Sequence, residues 1–251
     1  MKKTNYLLLL AAAAGLAVLA GPVAASNMDS RIELAARQSY VFRSYLQGDD
    51  IRVESKEGVV TLTGSVAENS RKSLAQETVA YLPGVISVDN KLEVKGDPTP
   101  NSDAWLSDKV KITLLFHRSE SVAKAEVEVK DGIVTLRGFA TSIAQRGTTN
   151  DCVMDVDGVK GVNNEMIVPE GPEKFPWIPG DRIDDASVTA QVKMALLLHR
   201  STRALKISVA TRKGVVTVSG KAGSLAEISL VTKVVGDING VRKVKNKMTA
   251  E

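Results

Sequence analysis

The side chains able to do covalent or metal chemistry are few. His117 and His199 are the only histidines of the 251 residues, and Cys152 is the only cysteine. One thiol can make neither an intrachain disulfide nor a zinc site of several thiolates, and two histidines leave almost nothing for a His-rich metal centre. His117-Arg118-Ser119 and His199-Arg200-Ser201 repeat one another at the end of the first helix, yet the partners that a catalytic or metal role would need do not recur with them. No phosphate loop, paired-carboxylate motif or nucleophile with an adjacent base is present. The chain is therefore read as a non-enzyme without cofactor or metal.

What remains is charge. Residues 29–96 carry 9 basic and 10 acidic side chains, residues 103–168 carry 8 and 10, and residues 182–251 carry 13 and 5. The modest overall charge of +4 thus conceals one strongly basic segment. Within it Lys243, Lys245 and Lys247 alternate with Val244 and Met248, which places the three lysines on one side of a strand and away from the core. Lys206 has the same outward phase, and Arg212 and Lys213 belong to a turn. Such a face suits anionic phospholipid headgroups, at roughly 1 kcal/mol per well-placed cation. The alternative is a solvated strand face whose lysines suppress edge pairing. Nucleic acid is not expected, because aromatic residues make up only 4% of the chain and stacking platforms need them.

Trp105, Phe175 and Trp177 are the other candidate contacts. Phe175-Pro176-Trp177-Ile178-Pro179 is an apolar island that could meet a membrane interface or a partner. It could equally fasten two small domains together, and Trp105 stands beside Leu106 where core packing is expected.

The elements that must position these residues come in triplicate. Gly58, Gly64, Gly84 and Asn90 are answered by Gly132, Gly138, Gly158 and Asn164, and by Gly214, Gly220, Gly240 and Asn246, at offsets of 74 and then 82. Two β-branched runs joined at Lys56-Glu57-Gly58, Lys130-Asp131-Gly132 and Arg212-Lys213-Gly214 predict β-hairpins, the glycine supplying a positive φ. The second glycine is expected to let the chain leave the strand. Upstream, Ile32/Ala36/Tyr40, Leu106/Val110/Leu114 and Val188/Val192/Leu196 predict a helix, with Ser30, Asp103 and Asp184 as its N-terminal caps. Its end carries Arg43, His117 or His199, where a polar or cationic group favours the helix dipole. Downstream, Leu74/Thr78/Leu82, Thr148/Cys152/Val156 and Leu230/Val234/Ile238 predict a second buried stripe, with Cys152 as a small hydrophobe. A final strand follows, parallel to its neighbour because a helix returns the chain. Asn90, Asn164 and Asn246 are expected to satisfy local backbone groups.

The class is therefore α+β: three tandem αββαβ domains, each with two helices on one face of a three-stranded mixed sheet. Val-x-Leu-x-Gly after a turn glycine, then a helix, Gly-Val and Asn-x-Leu/Met resembles the BON domain, named for bacterial osmotically inducible and nodulation proteins. The resemblance implies an envelope protein associated with phospholipid or with other envelope components, in envelope maintenance or osmotic stress, and no catalytic residues. Characterised relatives often have two copies; this chain has three.

Domain boundaries are expected at 27–96, 103–168 and 183–251, with linkers at 97–102 and 169–182 that hold six of the eight prolines. Residues 1–26 read as a signal peptide, with Lys2 and Lys3 before the apolar run Leu7–Ala20 and cleavage after Ala25 or Ser26. That run is shorter than the roughly 20 residues of a spanning helix, and no cysteine is available there for a lipid anchor. The expected location is the periplasm, and the expected partners are anionic phospholipid or, alternatively, envelope polypeptides held by a chaperone or adaptor through open sheet edges.

Overall fold

The computed structural model describes residues 22–96, 99, 102–117, 125–169, 183–202 and 206–250. The apolar run Leu7–Ala20, and Phe175 and Trp177 of the second linker, lie outside the described residues.

Each repeat is built on a central strand. In the first, β1 (Asp50–Lys56) pairs antiparallel with β2 (Val59–Val66), from Asp50 opposite Ser65 to Lys56 opposite Val59. After helix α3 (Asn69–Ala80) the chain returns as β3 (Ser87–Asn90) and β4 (Glu93–Val94), both parallel to β2. The second repeat runs α4 (Asp103–Leu115), β5 (Glu126–Lys130), β6 (Ile133–Arg137), α5 (Ile143–Met154) and β7 (Gly161–Asn164). The third runs α6 (Asp185–Leu198), β8 (Ile207–Arg212), β9 (Val215–Ala222), α7 (Leu225–Gly236), β10 (Lys243–Asn246) and β11 (Thr249–Ala250). Strand pairing in both repeats the first, antiparallel within the hairpin and parallel for the returning strand. The mixed sheet follows from the connections, since a tight turn reverses the chain and a helical crossover restores its direction.

The hairpin turn is clasped by the preceding helix. Glu57, Asp131 and Lys213 have φ of 52, 54 and 53°, and the glycines after them 79, 82 and 74°. Both central residues are left-handed, the turn whose twist matches that of the strands. In each repeat a helix carboxylate accepts both turn N–H groups: Asp29 from Glu57 and Gly58, Asp103 from Asp131 and Gly132, Asp185 from Lys213 and Gly214. These bonds offset the cost of holding a residue with a Cβ in that region. The Gly58 N–H, the Ser55 hydroxyl and the Glu57 N–H hold the Asp29 carboxyl below its usual range. Asp103 is thus a turn clasp and not the cap expected of it; Ser102 caps α4 by accepting from the Trp105 N–H at 3.2 Å. Ser30 lies inside α1 (Pro22–Gln38) and so is not at the start of that helix, where the cap was expected. Asp184 caps α6 as expected, accepting from the Ser187 N–H at 2.8 Å.

Two further expectations are corrected. The first helix of repeat one breaks at Ser39, before a separate turn α2 (Tyr40–Ser44). The N–H groups of Tyr40 and Val41, orphaned at that helix start, are bonded by Asp184 Oδ2 at 2.8 Å and Ser187 Oγ at 3.1 Å of repeat three. The second glycines do not end their strands in repeats one and three: Gly64 lies within β2 and Gly220 within β9. There the carbonyl of Asp50 or Lys206 occupies the place of a side chain, 2.0 and 2.3 Å from a Cβ built on the glycine.

The asparagines have the structural role expected. Nδ2 of Asn90, Asn164 and Asn246 donates to the helix carbonyls of Lys72, Arg146 and Ile228, and Oδ1 accepts from the N–H two residues on. This ties the returning strand to the second helix and interrupts it, which is why β3/β4 and β10/β11 are short pairs.

The second helices expose the limit of a one-stripe reading. In α3 the residues Leu74, Ala75, Thr78 and Val79 are all buried, because α6 of repeat three covers the face that the sheet does not. In α5 and α7 the domain cores take Thr149/Val153 and Val231/Val235, one position beyond the predicted stripe. Thr148/Cys152 and Leu230/Val234 face a cleft between repeats two and three.

The repeats are not beads on a string. One continuous core joins repeats one and three and includes Ile112 and Phe116 of repeat two, which otherwise keeps a core of its own. Tyr45 stands at the three-way junction, its hydroxyl donating to Leu115 O at 3.0 Å, with Gln191 Oε1 at 3.4 Å. Lys193 of α6 pairs with Glu77 of α3 at 2.8 Å. A unit of this size buries too little apolar surface to be robust alone, and mutual packing supplies the remainder.

Where repeat two meets repeat one, Asp108 of α4 has its carboxyl pushed up to about 6, chiefly by burial and then by Glu68 at the start of α3. A carboxyl raised in the folded state contributes stability in full below its unfolded value near 4, and the contribution is lost as pH rises through about 6. Asp108→Asn is therefore expected to raise the melting temperature at pH 7.5 and leave it unchanged at pH 4. Solvent screening of this partly exposed pair limits the gain to about 1 kcal/mol or less. A melting series across that range checks it.

Candidate anion-binding face

The sheet of repeat three has one face on its helices and one open. Val209, Val216 and Val218 point inward and are buried. The opposite phase carries Arg212 on β8, Val215, Thr217, Ser219 and Lys221 on β9, and Lys243 and Lys245 on β10. The register sets Lys243 and Arg212 on either side of Val215, and Lys245 beside Thr217. Cations on the two outer strands are thus about two strand spacings, roughly 10 Å, apart. Lys206 and Lys247 continue the outward phase at the far end, and all of these cations are exposed. Lys213 is exposed at the turn, its backbone N–H held by Asp185.

Among the described residues no ion pair within 4.0 Å involves Lys206, Arg212, Lys213, Lys243, Lys245 or Lys247. The equivalent faces differ. In repeat two Arg137 bridges Glu128 at 2.8 Å and Glu165 at 2.9 Å, and in repeat one Lys91 pairs with Asp89 at 2.9 Å. Their open faces carry both signs, whereas the described residues of the repeat-three face carry no acidic side chain.

Two basic residues escaped the sequence reading. Lys221 lies on the same face beyond Gly220, where the strand was expected to have ended. Arg242 precedes β10 and lays its Cγ and Cδ over the turn glycine Gly214. Strand phase would have found Lys221 had the glycine been read as lying inside the strand.

The other candidates sit elsewhere. Trp105 is half-buried in repeat two with Lys109 Nζ 4.1 Å from its ring centroid, and Lys109 Nζ donates to Asp157 O at 2.6 Å. That is packing within repeat two, not in the repeat that carries the cationic sheet. His199 does not serve as a cation on a helix dipole. It is 8% exposed, and burial holds its imidazole below the ordinary value. Its backbone forms a bridge with Val156, as that of His117 does with Ile238. Cys152 is half-buried on the cleft wall and not in a domain core.

A mixed sheet with two helices on one face and a repeated Asn–helix tether defines one small α+β module, present three times. The BON domain model matches residues 28–96, 102–170 and 184–251, and the chain belongs to that family. It is 29% identical over 143 residues to osmotically-inducible protein Y of Escherichia coli K12, covering 55% of this chain and 71% of that protein. It is 27% identical over 118 residues to an uncharacterized protein in the gshII 5′ region of Anaplasma centrale, covering 47% and 76%. Among solved structures it is similar to the C-terminal domain of CdsD, a structural protein of the type III secretion system of Chlamydia trachomatis, at 18% identity and a TM-score of 0.24, covering 90% of this chain and 98% of that one. It is also similar to the PrgH periplasmic domain, at 12% identity and a TM-score of 0.21, covering 82% and 97%.

Proposed function

We propose that this chain is a non-enzymatic periplasmic protein of the cell envelope that docks on anionic phospholipid surfaces through the open sheet face of its third BON domain, in envelope maintenance or osmotic stress. One observation carries the reading: Lys206, Arg212, Lys213, Lys243, Lys245 and Lys247 gather around one exposed face without acidic partners among the described residues, while the matching faces of the first two domains carry both signs. A flat sheet presents its cations to a plane of headgroups together, and each contributes about 1 kcal/mol. Similarity to an osmotically-inducible protein supports the physiological setting, and the apolar run near the start supports export. No helix among the described residues is long and apolar enough to cross a membrane, which accords with peripheral attachment.

Co-sedimentation with vesicles of phosphatidylglycerol and phosphatidylcholine, across a salt series, tests the proposal. Capture by the anionic vesicles is expected to fall with salt. Lys243→Glu/Lys245→Glu/Lys247→Glu is expected to weaken it about 100-fold or more, from three lost attractions of about 1 kcal/mol each. Equal capture by both vesicle types, or an unaffected triple variant, overturns it. In that event the chaperone reading, which requires suppression of client aggregation regardless of headgroup charge, takes its place.

A further inference from the structure

Repeats two and three meet about a pseudo-two-fold axis. The bridge His117–Ile238 is matched by Val156–His199, and the Asn239 N–H to Phe116 O bond of 2.9 Å by the Asp157 N–H to Leu198 O bond of 3.0 Å. The turn after α6 adds contacts of its own. The Arg200 N–H bonds Asp155 O at 2.9 Å, and Arg200 Nη2 bonds Val159 O at 2.8 Å. His199 thus stands at the root of the segment that fastens repeat three to repeat two, and it is buried there.

The bonding of this ring suits only the neutral imidazole. Nδ1 accepts from the Ser201 N–H at 3.1 Å, which assigns the single ring proton to Nε2. Nε2 is itself buried without a hydrogen-bond partner. Protonation would place a second N–H on Nδ1, aimed at the Ser201 N–H, and two donors cannot bond one another. It would also place a full charge where water does not reach, which is unfavourable without a well-matched partner.

The charged neighbours do not supply that partner. Asp155 of repeat two has Oδ2 3.6 Å from Nε2, too long for a hydrogen bond, and its side chain is 49% exposed. Arg200 beside the ring and Lys233 of α7 repel an imidazolium. Asp157 is engaged by Lys109 at 3.3 Å. Asp151, Asp237 and His117 complete the titratable lining of the cleft between the repeats, a cavity of about 270 Å3. Burial outweighs the attraction of Asp155 and holds the ring below its ordinary value of 6.5.

We propose that His199 is an acid-sensitive latch: proton uptake by its imidazole displaces the Ser201 turn and undocks repeat two from repeat three, opening the cleft lined by Cys152, Leu230 and Val234. The sign follows from the ring's bonding. A histidine held below its ordinary value contributes stability in full above that value, and the contribution is lost as pH falls through the folded value. For one proton and an ordinary value of 6.5, docking weakens by up to about 30-fold between pH 7.5 and pH 5.0. Asp108, at the contact of repeats one and two, acts with the opposite sign. Acid therefore loosens one contact of repeat two and not the other.

Hydrogen exchange of the full chain, followed residue by residue by NMR and corrected for the intrinsic pH dependence of amide exchange, tests the latch. The N–H groups of Asp157, Arg200 and Asn239 have their acceptors across the contact of repeats two and three. They are expected to lose protection by about 10- to 30-fold between pH 7.5 and pH 5.0, with a midpoint that matches the titration of the His199 ring. The Val41 N–H, bonded to Ser187 Oγ across the contact of repeats one and three, is expected to stay protected. His199→Asn offers an acceptor in place of Nδ1 but takes up no proton, and is expected to keep the contact closed at pH 5.0. Unchanged protection at pH 5.0 in the native chain, loss that extends to Val41, or equal loss in a folded His199→Asn protein overturns the proposal. Should that variant fail to fold, the native chain alone decides: a His199 ring that titrates at or above 6.5, or apart from the loss of protection, overturns it.

Discussion

Gly64→Ala is expected to destabilise the protein by roughly 3 kcal/mol or more, among the largest effects of a single substitution. Gly64 has φ of 109°, and its added Cβ would stand 2.0 Å from the carbonyl oxygen of Asp50, a backbone atom that cannot rotate away. Relief would require separating β1 from β2 at the end far from the turn, where Ile51 stands opposite Gly64. Gly138 is the internal control. Its φ is 126°, but the nearest atom to a Cβ there is Ala125 Cα at 3.7 Å. Gly138→Ala is therefore expected to cost only the strain of an unusual backbone conformation, about 1–3 kcal/mol. Urea unfolding followed by circular dichroism compares the two. Equal losses for Gly64→Ala and Gly138→Ala would remove the steric account of these glycines.

Phe116→Ala is expected to cost about 3–5 kcal/mol, the range for truncating a buried aromatic residue, and to uncouple the repeats. Phe116 belongs to repeat two, yet it is 0% exposed within the core shared by repeats one and three. Its ring centroid lies 5.7 Å from that of Tyr45, and its carbonyl accepts the Asn239 N–H. Removing the ring opens a void where three domains meet, while Leu106, Val110 and Leu136 still hold the separate core of repeat two. Hydrogen exchange should show lost protection in α2, α6 and the end of α7, with α4 to β7 less affected. Uniform loss across all three repeats would argue that repeat two has no independent stability.

These predictions show what could be read from residue order. Recurrence of glycine and asparagine at constant spacing identified a unit of two helices and three strands, because a tight turn, a helix end and a strand tether each demand a particular residue locally. The alternation of Lys243, Val244 and Lys245 placed cations on the open face for the same reason: strand phase is a property of neighbouring residues. The break at Ser39 was missed because the stripe Ile32/Ala36/Tyr40 runs through it, and Asp184 and Ser187 of a distant repeat make that break favourable. Lys221 was missed because the glycine before it was taken as a strand end. The predicted stripe in α5 and α7 was a real apolar face, but it belongs to the cleft between repeats, and the adjacent stripe belongs to the domain core.

By itself, then, residue order determined the module, its threefold repetition, the hairpin turns and the concentration of positive charge in the last copy, all consequences of contacts close along the chain. Tertiary structure alone decided that the first and third copies share a core, that Phe116 crosses into it, and that His199, Asp155 and Cys152 line one cavity. Such contacts join residues tens to more than a hundred positions apart. Their free energy comes from apolar surface that each small domain leaves exposed on its own, and nothing in a local pattern records which neighbour will cover it.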